Sequence, residues 1–179
     1  MKRIFFALSL ALALAFVAAP AIIAVPNAAA QGVEALQVME AEVEALLIAN
    51  ADNPEAFAAA VEAYVLAAGD AELATEAVIN VLTNPKSEAV RLALANNPEL
   101  KAAGGRGLGA AIAQIGLTNP TVAANMQAKV EASNDESLQA AVADGSAERT
   151  ASIQQQQAAE SGETAENNDS TPETPVSPN

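Results

Sequence analysis

The chain has 179 residues, 8 Lys and Arg against 22 Asp and Glu, and no His, Cys or Trp. Without His and Cys there is no Ser-His-Asp or Cys-His nucleophilic site, no thiol redox chemistry, no disulfide framework and none of the usual zinc or copper ligand sets. The acidic balance argues against nucleic-acid backbones and anionic membrane surfaces, both of which need clustered cations. Solubility or a cationic partner fits it better.

The chain opens MKRIFFALSLALALAFVAAPAIIAVPNAAAQG. Lys2 and Arg3 form a positive n-region, residues 4–19 an apolar h-region, and Ala28-Ala29-Ala30 places small residues at the −3 and −1 positions of a cleavage site. This predicts a signal peptide over 1–30 and a mature N-terminus at Gln31. The alternative is an uncleaved anchor, because the apolar run is long enough to span a bilayer, although Pro20 and Pro26 interrupt its distal end. The protein is therefore expected in the periplasm or outside the cell, as a helical domain over 31–149 and a disordered acidic tail over 150–179. With the leader removed, six basic residues face 22 acidic ones, and the aromatics are Phe57 and Tyr64.

Alanine, about one residue in four, gives the mature chain high helix propensity but little burial per residue. The spacing predicts an all-α fold, an irregular bundle of about six or seven short helices with a thin core. Residues 33–50 form the cleanest amphipathic helix, with Leu36, Met39, Val43, Leu46 and Leu47 on one face and Glu34, Glu40, Glu42 and Glu44 largely off it. Residues 54–68 follow, with Asn53 as N-cap, Pro54 in the first turn, Phe57, Val61, Tyr64 and Val65 inward and Gly69 as C-cap. Asp70 caps a helix over 71–83. Asn84-Pro85 is expected to cap another over 85–96, and Asn97-Pro98 to open a short turn that runs out at Gly104-Gly105.

The stretch 101–120, KAAGGRGLGAAIAQIGLTNP, reads as the organising element, a glycine cluster leading into a tight apolar helix. Gly105, Gly109 and Ala113 recur every four residues, with Gly116 further along that side, so one helix face is stripped of bulk and a second backbone can approach. Leu108, Ile112 and Ile115 mark the opposite face. Asn119-Pro120 starts the next helix, with Val122, Met126 and Val130 in phase. A last short helix bearing Leu138 and Val142 follows Ser133-Asn134-Asp135-Glu136 and is expected to end at Gly145. Beyond Ser146 the apolar period dissolves into a glutamine run and a polar, acidic, proline-bearing segment that cannot bury enough surface to fold. Four Asn-Pro pairs punctuate the chain, and the tetrapeptide Leu-Thr-Asn-Pro occurs at 82–85 and 117–120. The other intervals are too irregular for a solenoid, so this reads as reused helix capping.

Candidate chemistry is sparse. Glu40 and Glu44 share a helix face and read as solvated. Gly104-Gly105-Arg106-Gly107-Leu108-Gly109 lacks the strand of a dinucleotide fingerprint and the Lys-Ser/Thr end of a P-loop, leaving Arg106 beside a helix N-terminus as a weak anion candidate. The runs 52–55 and 134–137 offer oxygen ligands without EF-hand spacing and read as caps. No catalytic, cofactor-binding or metal-binding residue is nominated, and no cofactor is expected. The sequence points to a non-catalytic interaction or accessory protein with protein partners. For an enzyme, carboxylates, Ser/Thr/Lys sites or Tyr64 remain, and the alternative is a hydrolase or lyase using carboxylates or Ser/Lys.

Residues 107–142, GLGAAIAQIGLTNPTVAANMQAKVEASNDESLQAAV, resemble a loose group of small exported, alanine-rich helical proteins of Gram-negative bacteria. In these a Gly-rich helix precedes an A-x-x-M/I-Q-x-x-V helix, an Asn-Asp pair and a short final helix. The resemblance implies an exported helical domain and carries no functional residues with it.

Overall fold

A computed structural model describes residues 28–163, with side-chain surroundings defined for 32–159. The described chain is all-α, with seven helices: α1 (Ala28–Ala49), α2 (Pro54–Ala67), α3 (Ala71–Thr83), α4 (Glu88–Asn96), α5 (Glu99–Gly116), α6 (Pro120–Ala132) and α7 (Glu136–Glu163). The expected cleavage junction after Ala30 falls in the first turn of α1. The rest of the leader, 1–27, and the end of the expected tail, 164–179, lie outside the described residues. No helix among the described residues is long and apolar enough to cross a membrane.

The caps show how far local chemistry reaches. Asn53 accepts from the Ala56 N–H at 3.1 Å, Asp70 from Leu73 at 2.9 Å and Asn119 from Val122 at 3.3 Å, each satisfying a donor that the helix start leaves open. Asp135 caps α7 through Leu138 at 3.0 Å, and Asn134 before it takes the left-handed conformation that a short polar side chain tolerates. The other two Asn-Pro pairs do different work. Asn84 closes α3 instead of opening the next helix, and α4 starts only at Glu88, after a loop whose Lys86 reaches back to Glu40. Asn97 donates from Nδ2 to the Ala51 carbonyl at 3.1 Å, tying the α4–α5 junction to the α1–α2 turn. Gly69 is not a left-handed cap either: no described glycine has positive φ, and Ala68 ends α2 in an extended conformation.

The largest departure lies at the glycines. The expected turn through Gly104-Gly105 does not form, and α5 runs unbroken from Glu99 to Gly116 with five glycines in its 18 residues. Each glycine weakens a helix by about 1 kcal/mol relative to alanine, so the helix is held by what packs on it. A Cβ at Gly109 would lie 2.0 Å from the Val142 carbonyl oxygen, and one at Gly105 would lie 2.7 Å from the Ala141 Cβ. From the other side, a Cβ at Gly145 would lie 2.0 Å from the Arg106 carbonyl oxygen. Gly105 and Gly109 on α5 therefore face Ala141 and Gly145 on α7, two small residues four apart on each helix, and the backbones meet directly. The contacts advance together, Lys101 with Asp135, Gly105 with Leu138 and Ala141, Gly109 with Val142 and Ser146, so α5 and α7 run parallel. Helix α6 makes the return between them.

Gly145 does not terminate α7. Buried against α5, it is carried through by that contact, and the helix continues to Glu163, past the point at which the tail was expected to begin.

A second glycine face, not anticipated from the four-residue row, meets α2 and α3. A Cβ at Gly107 would lie 2.2 Å from the Ala58 carbonyl oxygen, and one at Gly104 would lie 2.9 Å from Phe57 and 2.8 Å from Leu82. Gly116, by contrast, has room, with its nearest neighbour at 3.7 Å. Helix α5 is thus packed at backbone range on both flanks, α7 on one and α2 on the other, and fills the remaining directions with Leu100, Ala103, Leu108, Ala111 and Ile112. Around it the core contains Phe57, Met126, Leu138 and Leu47, fully buried, with Val43, Val61, Val65 and Val78. The face predicted for α1 holds: Val43 and Leu47 are buried, and Leu36, Met39 and Leu46 pack partly against the same core.

Candidate functional site

The carboxylates singled out in the sequence go to three different places. Glu40 is not solvated as expected but buried, accepting from Asn80 Nδ2 at 2.8 Å and from Lys86, because α3 and the loop after it close over that turn of α1. Glu42 accepts from the Tyr64 hydroxyl at 3.0 Å. Burial first, then the hydrogen bond to Glu42 and its negative charge, push the tyrosine's pKa far above its ordinary value and fix it as a neutral donor. Glu44 remains half-buried at the edge of a groove with Gln37, Ala41 and Lys86. Of the runs 52–55 and 134–137, Asn53 and Asp135 serve as caps. The Lys101 and Ser137 hydrogen bonds hold the Asp135 carboxyl down at about 2, below the usual range.

Arg106 also changes setting. With α5 continuous from Glu99, it sits two turns inside the helix and not at an N-terminus, so the helix-end argument for an anion no longer applies there. It lines instead a groove of about 300 Å³ between α2, α5 and α7. Small residues make this groove: Ala58 and Ala59 from α2, Gly107 and Ala110 from α5, and Gly145 from α7. The same glycines that bring the helices together leave a trough where their surfaces diverge. Charged groups of both signs stand over it, Glu55, Glu62, Arg106, Glu148 and Arg149, with the Ser152 hydroxyl beyond. Arg149 is locked to Glu62 at 2.9 Å, and its Nε is shielded without a hydrogen-bond partner.

The described residues contain six cations, and all are within ion-pair range of a carboxylate. Lys86 pairs with Glu40, Arg91 with Glu88, Lys101 with Asp135, Lys129 with Glu76 at 2.7 Å and Arg149 with Glu62. Arg106 is the loosest, 3.8 Å from Glu55. The groove was not found from the sequence. Its signal is a second pair of small residues, Gly107 and Ala110, overlaid in the sequence by the stronger row through Gly105 and Gly109.

Comparisons with protein families, with curated proteins and with solved structures return no match.

Proposed function

We propose that this is an exported, non-catalytic accessory protein, periplasmic or secreted, that binds a cationic protein partner through its acidic surface. One observation carries the reading: the six cations of the described residues are each drawn to a carboxylate, five of them at hydrogen-bond distance. Internal pairing uses up the positive charge and leaves an excess of carboxylates, Glu34, Glu72, Glu99, Glu131 and Asp144 among them, with no such partner. The net field of the molecule is then negative, which steers a basic surface inward and repels an acidic one. The leader-like start, with its n-region, h-region and Ala28-Ala29-Ala30, supports export. The capture of Tyr64, Glu40 and Glu42 in structural hydrogen bonds supports a non-catalytic role over the hydrolase alternative.

The test is binding to a Lys/Arg-rich peptide and to a Glu-rich peptide of equal length, measured across salt. The basic peptide is expected to bind and to weaken about tenfold or more between low and about 0.3 M salt, as screening shortens the range of the field. Equal binding of the two peptides, or binding of the basic one that ignores salt, would overturn the electrostatic reading.

A further inference from the structure

Arg106 stands apart from the other cations. Its partner Glu55 is 3.8 Å away, beyond hydrogen-bond range, and the Glu55 side chain is 90% exposed, so the pair has little hold on either group. The Arg106 side chain is only 33% exposed and lines the α2–α5–α7 groove, and among the described residues it makes no hydrogen bond. A partly buried arginine whose planar fork of donors lacks a hydrogen-bonded acceptor suits a carboxylate, which it can hold through two parallel bonds. A free anion, however, would have to approach through the negative field of a chain with net charge −14. A ligand with no net charge avoids that cost. The groove supplies the second half of such a match in Glu148, which is exposed and has no hydrogen bond or ion pair among the described residues. Glu148 lies one turn after Gly145 on the same face of α7, and Gly145 is the residue that abuts the Arg106 backbone.

We infer that this groove binds a small zwitterion of the amino-acid or dipeptide class, its carboxylate on Arg106 and its ammonium on Glu148, over the floor of Gly107, Ala110 and Gly145. The chemistry of the walls narrows the class. No aromatic side chain lines the groove, so a quaternary ammonium would find no cage. A primary ammonium can instead donate hydrogen bonds to Glu148 and to the Ser152 hydroxyl. At about 300 Å³ the space is at the small end of ligand pockets, enough for a dipeptide and too little for a large cofactor. This assignment is independent of the docking of a cationic protein, which uses the outer surface.

The test is a titration of the purified protein with L-alanyl-L-alanine, followed by amide NMR shifts, beside propionate and ethylamine as carboxylate-only and ammonium-only probes. Saturable shifts at Gly107, Ala110 and Gly145 are expected with the dipeptide, with Kd of about 1 mM or tighter. Each single-charge probe should bind at least about tenfold more weakly. Arg106→Gln should weaken the dipeptide about tenfold or more. Glu148→Gln, a change at an exposed side chain that leaves the fold intact, should weaken the dipeptide and leave propionate unaffected or slightly improved. The assignment is overturned by absence of saturable shifts with the dipeptide, by equal affinity in Arg106→Gln or in Glu148→Gln, or by propionate binding as tightly as the dipeptide.

Discussion

Gly109→Ala is expected to destabilise the protein by about 2–3 kcal/mol, although alanine is the better helix former. The added methyl would fall 2.0 Å from the Val142 carbonyl oxygen and 2.8 Å from the Ser146 nitrogen, both main-chain atoms of α7. No side chain can turn aside to accommodate it, so α5 and α7 must separate and every contact along their parallel run loosens. Gly109→Leu should cost more, since it adds bulk at the same place. Gly116→Ala is the control on the same helix. Its nearest neighbour is 3.7 Å away, so propensity decides the sign and the change should be neutral or stabilising by up to about 1 kcal/mol. Urea unfolding of the three variants beside the parent gives the comparison directly. A stabilising Gly109→Ala would mean that the helices are not in backbone contact.

Phe57→Ala should cost about 3–5 kcal/mol, the usual loss for deleting a buried aromatic side chain. Phe57 is fully buried, and its ring lies against Gly104, where a Cβ would come within 2.9 Å. The cavity cannot refill. Its neighbours on that side are a glycine and the already buried Leu82, so no exposed side chain stands there to swing in. Against a total stability of about 5–15 kcal/mol for an ordinary domain, such a loss leaves the protein close to unfolding at ambient temperature. The midpoint of denaturant unfolding should fall steeply with its slope preserved. A loss below about 1.5 kcal/mol would show that the site collapses around the missing ring, and would contradict the packing described.

Much of the architecture was legible because it is written locally. The i, i+3, i+4 spacing of Leu36, Met39, Val43 and Leu47 identifies an inward face without reference to any other helix. Asn53, Asp70 and Asn119 cap the helices that follow them because the side-chain oxygen and the open N–H lie three residues apart in the chain. Where the structure departs from the local signal, a tertiary contact outweighs a local preference. Gly104-Gly105 and Gly145 are helix breakers by propensity, and both are helical because a neighbouring backbone covers them. Asn84 looks like Asn53 in sequence, but it closes α3, and the loop after it places Lys86 against Glu40, on a helix more than forty positions earlier.

The candidate site divides in the same way. Arg106 was visible as an isolated cation among glycines, and its chemistry as an anion holder could be stated from its type alone. Its setting could not. That setting depends on Ala58, Ala59, Gly107 and Gly145 coming together from three helices, none of which signals the others in the sequence. Glu148 lies in a region where apolar periodicity fades and the chain was expected to unravel soon after. The continuation of α7 gives it a fixed place.

Direct backbone contact between α5 and α7 is tested most directly by a double-mutant cycle on Gly109→Ala and Gly145→Ala. The two glycines sit on opposite sides of one crossing, Gly109 against Val142 and Gly145 against Arg106, each with only 2.0 Å for a Cβ before it meets a carbonyl oxygen. If the helices touch there, the first methyl forces them apart and the second enters space already opened. Each single variant should be destabilised, and the double should lose less than the sum of the two by about 1 kcal/mol or more. Strictly additive costs, or a gain of stability in either single variant, would contradict the contact on which this fold is built.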